Sequence, residues 1–220
     1  LGRSVSEMDE QSIKKSLTEL RKITSKRNFS QSIDIIITLK DIDMNKQGKI
    51  EEFVRLPSGK TKKAKICALV GNESEAGAKA ADKVILSSNF EKWKKPREIK
   101  KLAREFDYFI AQADMMPQIA QVFGRYFGPI NRMPSPRAGA IVPPKANLEP
   151  IVTKLRDTVR LVANKAPVFQ CSIGYEDQKD EELAANIIKV VGAVEHALPN
   201  GRNNLGKVYV KSTMSKKVNI

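Results

Sequence analysis

The sequence predicts two domains: an α+β domain that contains both chain ends, and a Rossmann-like α/β domain inserted into it. Three observations predict this fold class. Short apolar runs alternate with helical patterns between residues 66 and 127, which is typical of parallel βαβ connections. The strands predicted on either side of that block are too few to form a stable sheet alone, so the two flanking segments are expected to fold together. At 220 residues the chain is long enough to bury two modest cores.

The first flanking segment is predicted to form a helix and two strands. The helix covers residues 7–25, and Ser6 with Asp9 is expected to cap its first turn. Side chains of its inner face recur at helical spacing and are Met8, Ile13, Leu17, Leu20 and Thr24. The run SIDIIITLK then alternates, so its better apolar face is expected to point inward; that face consists of Ile33, Ile35, Ile37 and Leu39. A second strand is predicted from Ile50 to Leu56.

The inserted block and the second flank set the domain bounds. Strands are expected at KICALV, KVILS and DYFIAQ, with helices from about Glu73, from Pro96 and around residues 117–127. After the turn-rich stretch FGPINRMPSPRAGAIVPPK, helical spacing returns from Leu148 to Val159, followed by the strand VFQCSI, a helix from Asp180 and a last strand. The predicted bounds are residues 1–57, 58–144 and 145–220, with LPSGK and VPPKAN forming a hinge.

The charge of the chain predicts a polyanionic partner. Lys and Arg total 39 against 25 Asp and Glu, which gives a formal charge of +14 and a pI near 9.8. Charge alone does not choose between nucleic acid and an anionic membrane surface, but no apolar run approaches the roughly 20 residues that span a bilayer, and no signal peptide is visible. Of the two, nucleic acid is the expected partner and a membrane is not. Cys67 and Cys171 lie in apolar runs and are predicted to be free, buried thiols. With one histidine besides them, neither a metal site nor a cofactor is expected.

An RNA- or nucleotide-modifying enzyme that uses the inserted sheet is the main alternative. Open parallel sheets often bind nucleotides at the ends of their strands, and Gly71 follows the first inserted strand. The loop GNESEAGAK, however, lacks the glycine-rich phosphate fingerprints, and Glu73 and Glu75 would repel phosphate. His196 is placed to complement the carboxyl end of a helix, with no nucleophile set beside it by a known motif. A membrane-surface adaptor is a further alternative.

Two polar stretches offer chemistry suited to RNA. In SKRNFSQS, Phe29 stands among polar residues just before the first strand, and in STMSKK the last strand ends in hydroxyls, a thioether and lysines. Lysines and arginines contact phosphate, aromatic rings stack on bases, and hydroxyls bind the ribose 2′-OH. The predicted RNA-binding residues are Lys26, Arg27, Asn28, Phe29, Ser30, Ser32, Thr213, Met214, Ser215 and Lys216. The alternatives are that Phe29 packs under its own helix and that the terminus is frayed.

Four motifs together resemble a known family, the L-one proteins of the large-subunit mobile stalk of the ribosome, in their archaeal form. The motifs are VYVKSTM, FGPINRMPSPRAG, VRLPSGK and RNFSQSIDI, and they follow the family's order over nearly the whole chain. A Thr-Met-Gly turn and a phenylalanine after the first helix carry recognition in the family, and they match Thr213, Met214 and Phe29. The chain departs from the pattern at Ser215, where the glycine would stand, and at Asn28, where lysine is frequent.

The resemblance implies a fold and a set of partners. It implies an α+β domain with both termini, an inserted α/β domain and a flexible hinge between them. Its implied partners are large-subunit ribosomal RNA, the messenger RNA of its own operon, through which it represses translation, and exit-site transfer RNA, whose release it assists. We therefore expect a cytoplasmic, ribosome-bound protein that is not an enzyme and is monomeric when free of the ribosome.

Overall fold

The computed structural model describes residues 10–44, 48–74, 76–93, 95–144, 146–164 and 166–220. Its α-helices are α1 (Glu10–Ile23), α2 (Pro96–Glu105), α3 (Met116–Phe127), α4 (Glu149–Arg156) and α5 (Asp180–Ala197). Its strands are β1 (Ser32–Leu39), β2 (Ile50–Arg55), β3 (Ile66–Val70), β4 (Lys83–Leu86), β5 (Tyr108–Gln112), β6 (Ile141–Val142), β7 (Thr158–Ala163), β8 (Val168–Tyr175), β9 (Leu205–Ser212) and β10 (Val218–Asn219).

These elements form two compact units. The terminal unit consists of the described residues up to Lys62 together with Asp157–Ile220, and the inserted unit is Lys63–Arg156. The mixed α/β fold class predicted from the sequence is confirmed. The predicted cap at Ser6 and Asp9, and the position of Met8, lie outside the described residues.

The terminal unit is built on an antiparallel sheet with the strand order β10-β9-β1-β8. The predicted inner face of β1 is buried as expected, because side chains alternate across a pleated strand. Helices α1 and α5 cover that face, and a separate antiparallel pair joins β2 to β7. The helix side chains buried in this core are Ile13, Leu17, Leu20, Leu183, Ile187, Val190, Val191 and Val194. Since β9 lies inside the sheet beside β1, the end of β9 meets the beginning of β1.

The inserted unit is a parallel sheet with the order β4-β3-β5-β6. All five residues of β3 are buried, which is typical of a parallel strand covered on both faces. Aromatic rings from α3 and from neighbouring segments pack together in the core of this unit, and they are Phe90, Phe106, Phe109, Phe123 and Phe127. Helix α2 begins at Pro96, as the sequence predicted.

Three predictions of local structure or bounds differ from the structure. The helix expected from Glu73 is replaced by two short 3-10 helices, Asn72–Ser74 and Ala76–Ala80. The helix expected to continue to Val159 ends at Arg156, and Val159 belongs to β7 instead, where it pairs with β2. Helix α4 packs against β3 and the 3-10 helix Ala76–Ala80, so it belongs to the inserted unit and not to the terminal domain, in which the predicted segment 145–220 had placed it.

Burial makes Cys67 an unreactive thiol. Its side chain is fully buried in β3, and this burial raises the pKa of the thiol to about 12. Only the thiolate reacts, so we expect iodoacetamide at mildly alkaline pH to leave Cys67 unmodified in the folded protein. Mass spectrometry of the labelled protein, with a guanidinium-unfolded sample as control, checks this. The thiol of the unfolded chain ionises near pH 9, well below the pKa of about 12 in the folded protein. The free energy of unfolding should therefore fall as pH rises from about 9 toward 12.

Candidate RNA-binding surface

The structure brings the two predicted recognition segments together at the junction of β1 and β9. The backbone N–H of Thr213 donates to the carbonyl of Ser32 over 3.0 Å, and the backbone N–H of Ser32 donates to Oγ1 of Thr213 over 3.1 Å. The two hydroxyl oxygens lie 3.1 Å apart, within hydrogen-bond distance. Segments nearly the whole chain apart in sequence therefore form one surface, made of residues 25–30 and 213–216, which we call the loop–turn surface.

Gln31 joins the two segments of this surface to each other and to the loop after β8, although no sequence pattern singles it out. Its side chain is completely buried, with Oε1 accepting the backbone N–H of Met214 over 3.2 Å and Nε2 donating to the carbonyl of Ser25 over 3.0 Å. Its own carbonyl accepts the N–H of Glu176 over 3.0 Å. Only the contacts across the fold distinguish this glutamine from an ordinary loop residue.

Large apolar side chains are exposed on the loop–turn surface. Phe29 is 52% exposed and Met214 is 60% exposed, so Phe29 does not pack under its own helix. Ile23, at the end of α1, is 46% exposed and was also missed from the sequence; Ile130, in the inserted unit, is the fourth such residue in the described part of the chain. Three of these four residues thus belong to the loop–turn surface or to the helix end that leads into it. Clustered exposed apolar groups mark binding sites more often than isolated ones do.

Cations and polar groups stand beside these apolar side chains. Lys26, Arg27, Asn28 and Lys216 are all exposed in the same two segments. Cations of this kind supply phosphate contacts, and an exposed amide can bind the edge of a base. The loop–turn surface therefore combines charge, hydrogen-bonding groups and faces for stacking.

The hydroxyl groups predicted to face RNA are engaged within the protein. Ser30 donates to Oδ2 of Asp177 over 2.5 Å, and Ser32 donates to Oδ1 of Asp34 over 3.1 Å. Thr213 uses its hydroxyl to fasten the turn to Ser32. These side chains hold the surface in shape.

Ser215 fits the turn although the family pattern has glycine there. It is not among the described residues with positive φ, so the backbone at this position does not require glycine. Its Oγ accepts the backbone N–H of Ser212 over 2.8 Å. We expect Ser215→Ala to lower the free energy of unfolding by about 1 kcal/mol, because the nearly buried Ser212 loses this acceptor. Urea unfolding of Ser215→Ala and Ser215→Thr checks this; equal losses in both variants would contradict it.

Arg21 fixes the loop that borders the surface. Its guanidinium donates to the carbonyls of Glu176 and Gln178 and to Oδ1 of Asp180, over 2.8, 2.6 and 2.8 Å. Asp180 lies in the first turn of α5 together with Glu181 and Glu182, and of these three it is the one paired with Arg21. Among the described residues, no group of acidic, histidine or cysteine side chains could hold a metal ion.

At the edge of the inserted sheet where a nucleotide would bind, the backbone N–H of Gly71 is already bonded within the protein. Gln112, at the end of β5, accepts the backbone N–H of Gly71 over 2.9 Å and lies 3.4 Å from the hydroxyl of Ser74. In nucleotide-binding sheets the N–H groups at this position bind phosphate instead. This arrangement argues against the modifying-enzyme alternative. In the described part of the chain, no helix is long and apolar enough to cross a membrane.

A strongly basic fold whose candidate site presents cations and exposed apolar side chains is of the nucleic-acid-binding class. Comparison with known proteins agrees, since a model of the ribosomal protein L1p/L10e family matches residues 20–216. The chain is 40% identical over 215 residues to the large ribosomal subunit protein uL1 of Methanothermobacter thermautotrophicus, covering 96% of this chain and 99% of the relative. It is 39% identical to uL1 of Pyrococcus horikoshii, covering 96% of each chain, and 37% identical to uL1 of Nanoarchaeum equitans, covering 89% and 93%.

The chain therefore belongs to the ribosomal protein L1p/L10e family and is of its archaeal type. The resemblance drawn from four short motifs is confirmed over nearly the full length. Family membership makes the chain a protein of the large ribosomal subunit, a component of cytoplasmic ribosomes, and not an enzyme. The modifying-enzyme and membrane-adaptor alternatives are set aside on this ground.

Proposed function

We propose that the chain binds a folded region of large-subunit ribosomal RNA, in the mobile stalk, through the loop–turn surface. The observation that carries this proposal is the pair of hydrogen-bonded links, from Ser32 to Thr213 and from Gln31 to Met214. They hold an exposed Phe29 and an exposed Met214 on segments fastened to one another. A surface fixed in advance loses little conformational entropy on binding, which favours tight and shape-selective recognition.

Different side chains of the loop–turn surface make different kinds of contact with the RNA. Lys26, Arg27 and Lys216 supply phosphate contacts, which give affinity and strong salt dependence but little selectivity. Phe29 stacks on an unpaired base, and Met214 lies against a base or a sugar. Asn28 is exposed and free to bind a base edge or a ribose hydroxyl. Selectivity thus comes from a folded RNA that offers an open base between closely spaced phosphates.

Filter binding tests this function with two labelled RNAs at one salt concentration. One is a fragment of large-subunit RNA that carries the stalk region, and the other is an uninterrupted duplex of the same length. We expect saturable binding of the stalk fragment that is at least about 10³-fold tighter than binding of the duplex, the lower end of the specificity range for nucleic-acid recognition. Equal retention of the two RNAs would contradict recognition of a folded site.

Regulation and transfer RNA form the second part of the proposal, and family resemblance supports them. We infer that the same surface binds a similar element in the messenger RNA of its own operon and represses translation, and that the chain assists release of exit-site transfer RNA as a monomer. Because one surface cannot hold two RNAs, the stalk fragment should displace the operon leader competitively. Simultaneous binding of both RNAs would show that the repressor site lies elsewhere.

A further inference from the structure

The outward face of α2, in the inserted unit, is made of cations. An α-helix turns by about 100° per residue, so positions 97, 100, 101 and 104 share a stripe about 100° wide. This stripe lies opposite the buried Ile99, Leu102 and Ala103, which fix the helix on its sheet. The cationic face, as we name it, consists of the exposed side chains Arg97, Lys100, Lys101 and Arg104.

None of these four cations forms an ion pair in the described part of the chain. Glu98 pairs with Lys95 at the start of the helix, at 3.4 Å, and in the described part of the chain none of the four cations has a carboxylate within ion-pair distance. An open depression lies among them, with Glu105 at its border. Like charges three and four residues apart repel one another along a helix, so this pattern weakens the helix. A face that served only solubility would gain by alternating the sign of its charges.

The chemistry of the cationic face favours an RNA backbone as its partner. Its four charges lie within about 10 Å along the helix axis. An RNA strand carries a phosphate at every nucleotide, so several phosphates can pair with these charges at once. A helix that binds a membrane surface adds large apolar side chains next to its cations, whereas the exposed large hydrophobic residues of the described chain all lie outside α2. Residues 63–156 hold nearly twice as many Lys and Arg as Asp and Glu, which attracts polyanions to this unit.

We propose that the cationic face of α2 is a second RNA-binding surface, which binds the phosphate backbone of a base-paired RNA segment independently of its sequence. It is separate from the loop–turn surface, which contributes selectivity through exposed apolar groups. Recognition at α2 is by charge, since this face presents neither a stacking ring nor a hydroxyl. The two surfaces therefore differ in their dependence on salt and on RNA structure.

The test compares two variants of the full chain that lose equal charge. The first is Arg97→Gln, Lys100→Gln, Lys101→Gln and Arg104→Gln combined, and the control is Lys65→Gln, Lys79→Gln, Arg125→Gln and Arg137→Gln combined, which removes exposed cations scattered over the same unit. Binding of a blunt RNA duplex of arbitrary sequence is followed by fluorescence anisotropy over a salt series. We expect the first variant to bind at least about 10-fold more weakly at low salt, with a salt slope smaller by about 3, and the control to change far less.

Further measurements exclude misfolding and separate the two surfaces. The first variant should melt at the same or a higher temperature than the parent, because repulsion along α2 is relieved. Arg97→Lys with Arg104→Lys should keep duplex binding, since only charge is required. Thr213→Ala with Met214→Ala should weaken stalk-RNA binding and leave duplex binding unchanged. Equal loss in the test and control variants, or loss of binding to phosphatidylserine vesicles in place of RNA, would overturn the proposal while leaving the loop–turn surface intact.

Discussion

Replacing Thr213 and Met214 together by alanine is expected to weaken binding to a stalk RNA fragment by at least about 10-fold. A well-made recognition contact contributes about 1–3 kcal/mol, and a factor of ten corresponds to about 1.4 kcal/mol. The Met214 change removes an exposed apolar group, and the Thr213 change removes the hydroxyl that accepts the N–H of Ser32. Filter binding at fixed salt measures the loss.

The control for this prediction is Ile130→Ala. Ile130 is similarly exposed, at 43%, but it belongs to the inserted unit, so its loss should leave the affinity for stalk RNA unchanged. Thr213→Ser keeps the hydroxyl and should retain most of the affinity. Parental affinity in the double variant would rule out the loop–turn surface as the site of recognition.

Replacing Gln31 by leucine is expected to weaken both the fold and RNA binding. Leucine cannot accept the N–H of Met214 or donate to the carbonyl of Ser25, so those groups lose their partner. An unsatisfied buried polar group costs about 1–3 kcal/mol. The Met214 turn would then lose one of its two links to the segment that bears Phe29 and keep only the link between Ser32 and Thr213. Urea unfolding measures the first effect, and stalk-RNA affinity under conditions where the variant remains folded measures the second.

Gln112→Leu provides a matched control for this substitution. Gln112 is also a buried glutamine whose Oε1 accepts a backbone N–H, from Gly71, but it lies in the inserted unit. We expect a comparable loss of stability from Gln112→Leu and no loss of RNA affinity. If Gln31→Leu reduced RNA affinity no more than Gln112→Leu did, Gln31 would be a structural residue only.

The sequence predicts best where a pattern repeats along one element. The alternation of β1 and the proline at the start of α2 are both found as expected. Prediction fails where the choice depends on distant partners. Val159 continues the apolar spacing of α4, yet Arg160 in the same segment pairs with Glu51 across a strand pair that the local pattern does not reveal.

The candidate site shows the same division between local and distant information. Phe29 and Met214 are recognisable because large apolar residues among polar neighbours are unusual in a loop. The interaction between Gln31 and Met214 joins positions 183 residues apart, so no local pattern predicts it. Nor does the sequence predict the two-residue strand β10, in which Val218 is buried and pairs with Val210. This pairing holds the carboxyl-terminal residues on the sheet, so the alternative of a frayed terminus is wrong.

The most direct test of the loop–turn surface is the NMR spectrum of methionine methyl groups in the intact chain. Met214 lies in the turn, Met44 is buried in the terminal unit, and Met115, Met116 and Met133 belong to the inserted unit and serve as internal references. On titration with the stalk RNA fragment, we predict a saturable shift of the Met214 methyl signal and a much smaller change at the four reference methyl groups. An unchanged Met214 signal at saturating RNA would contradict the account.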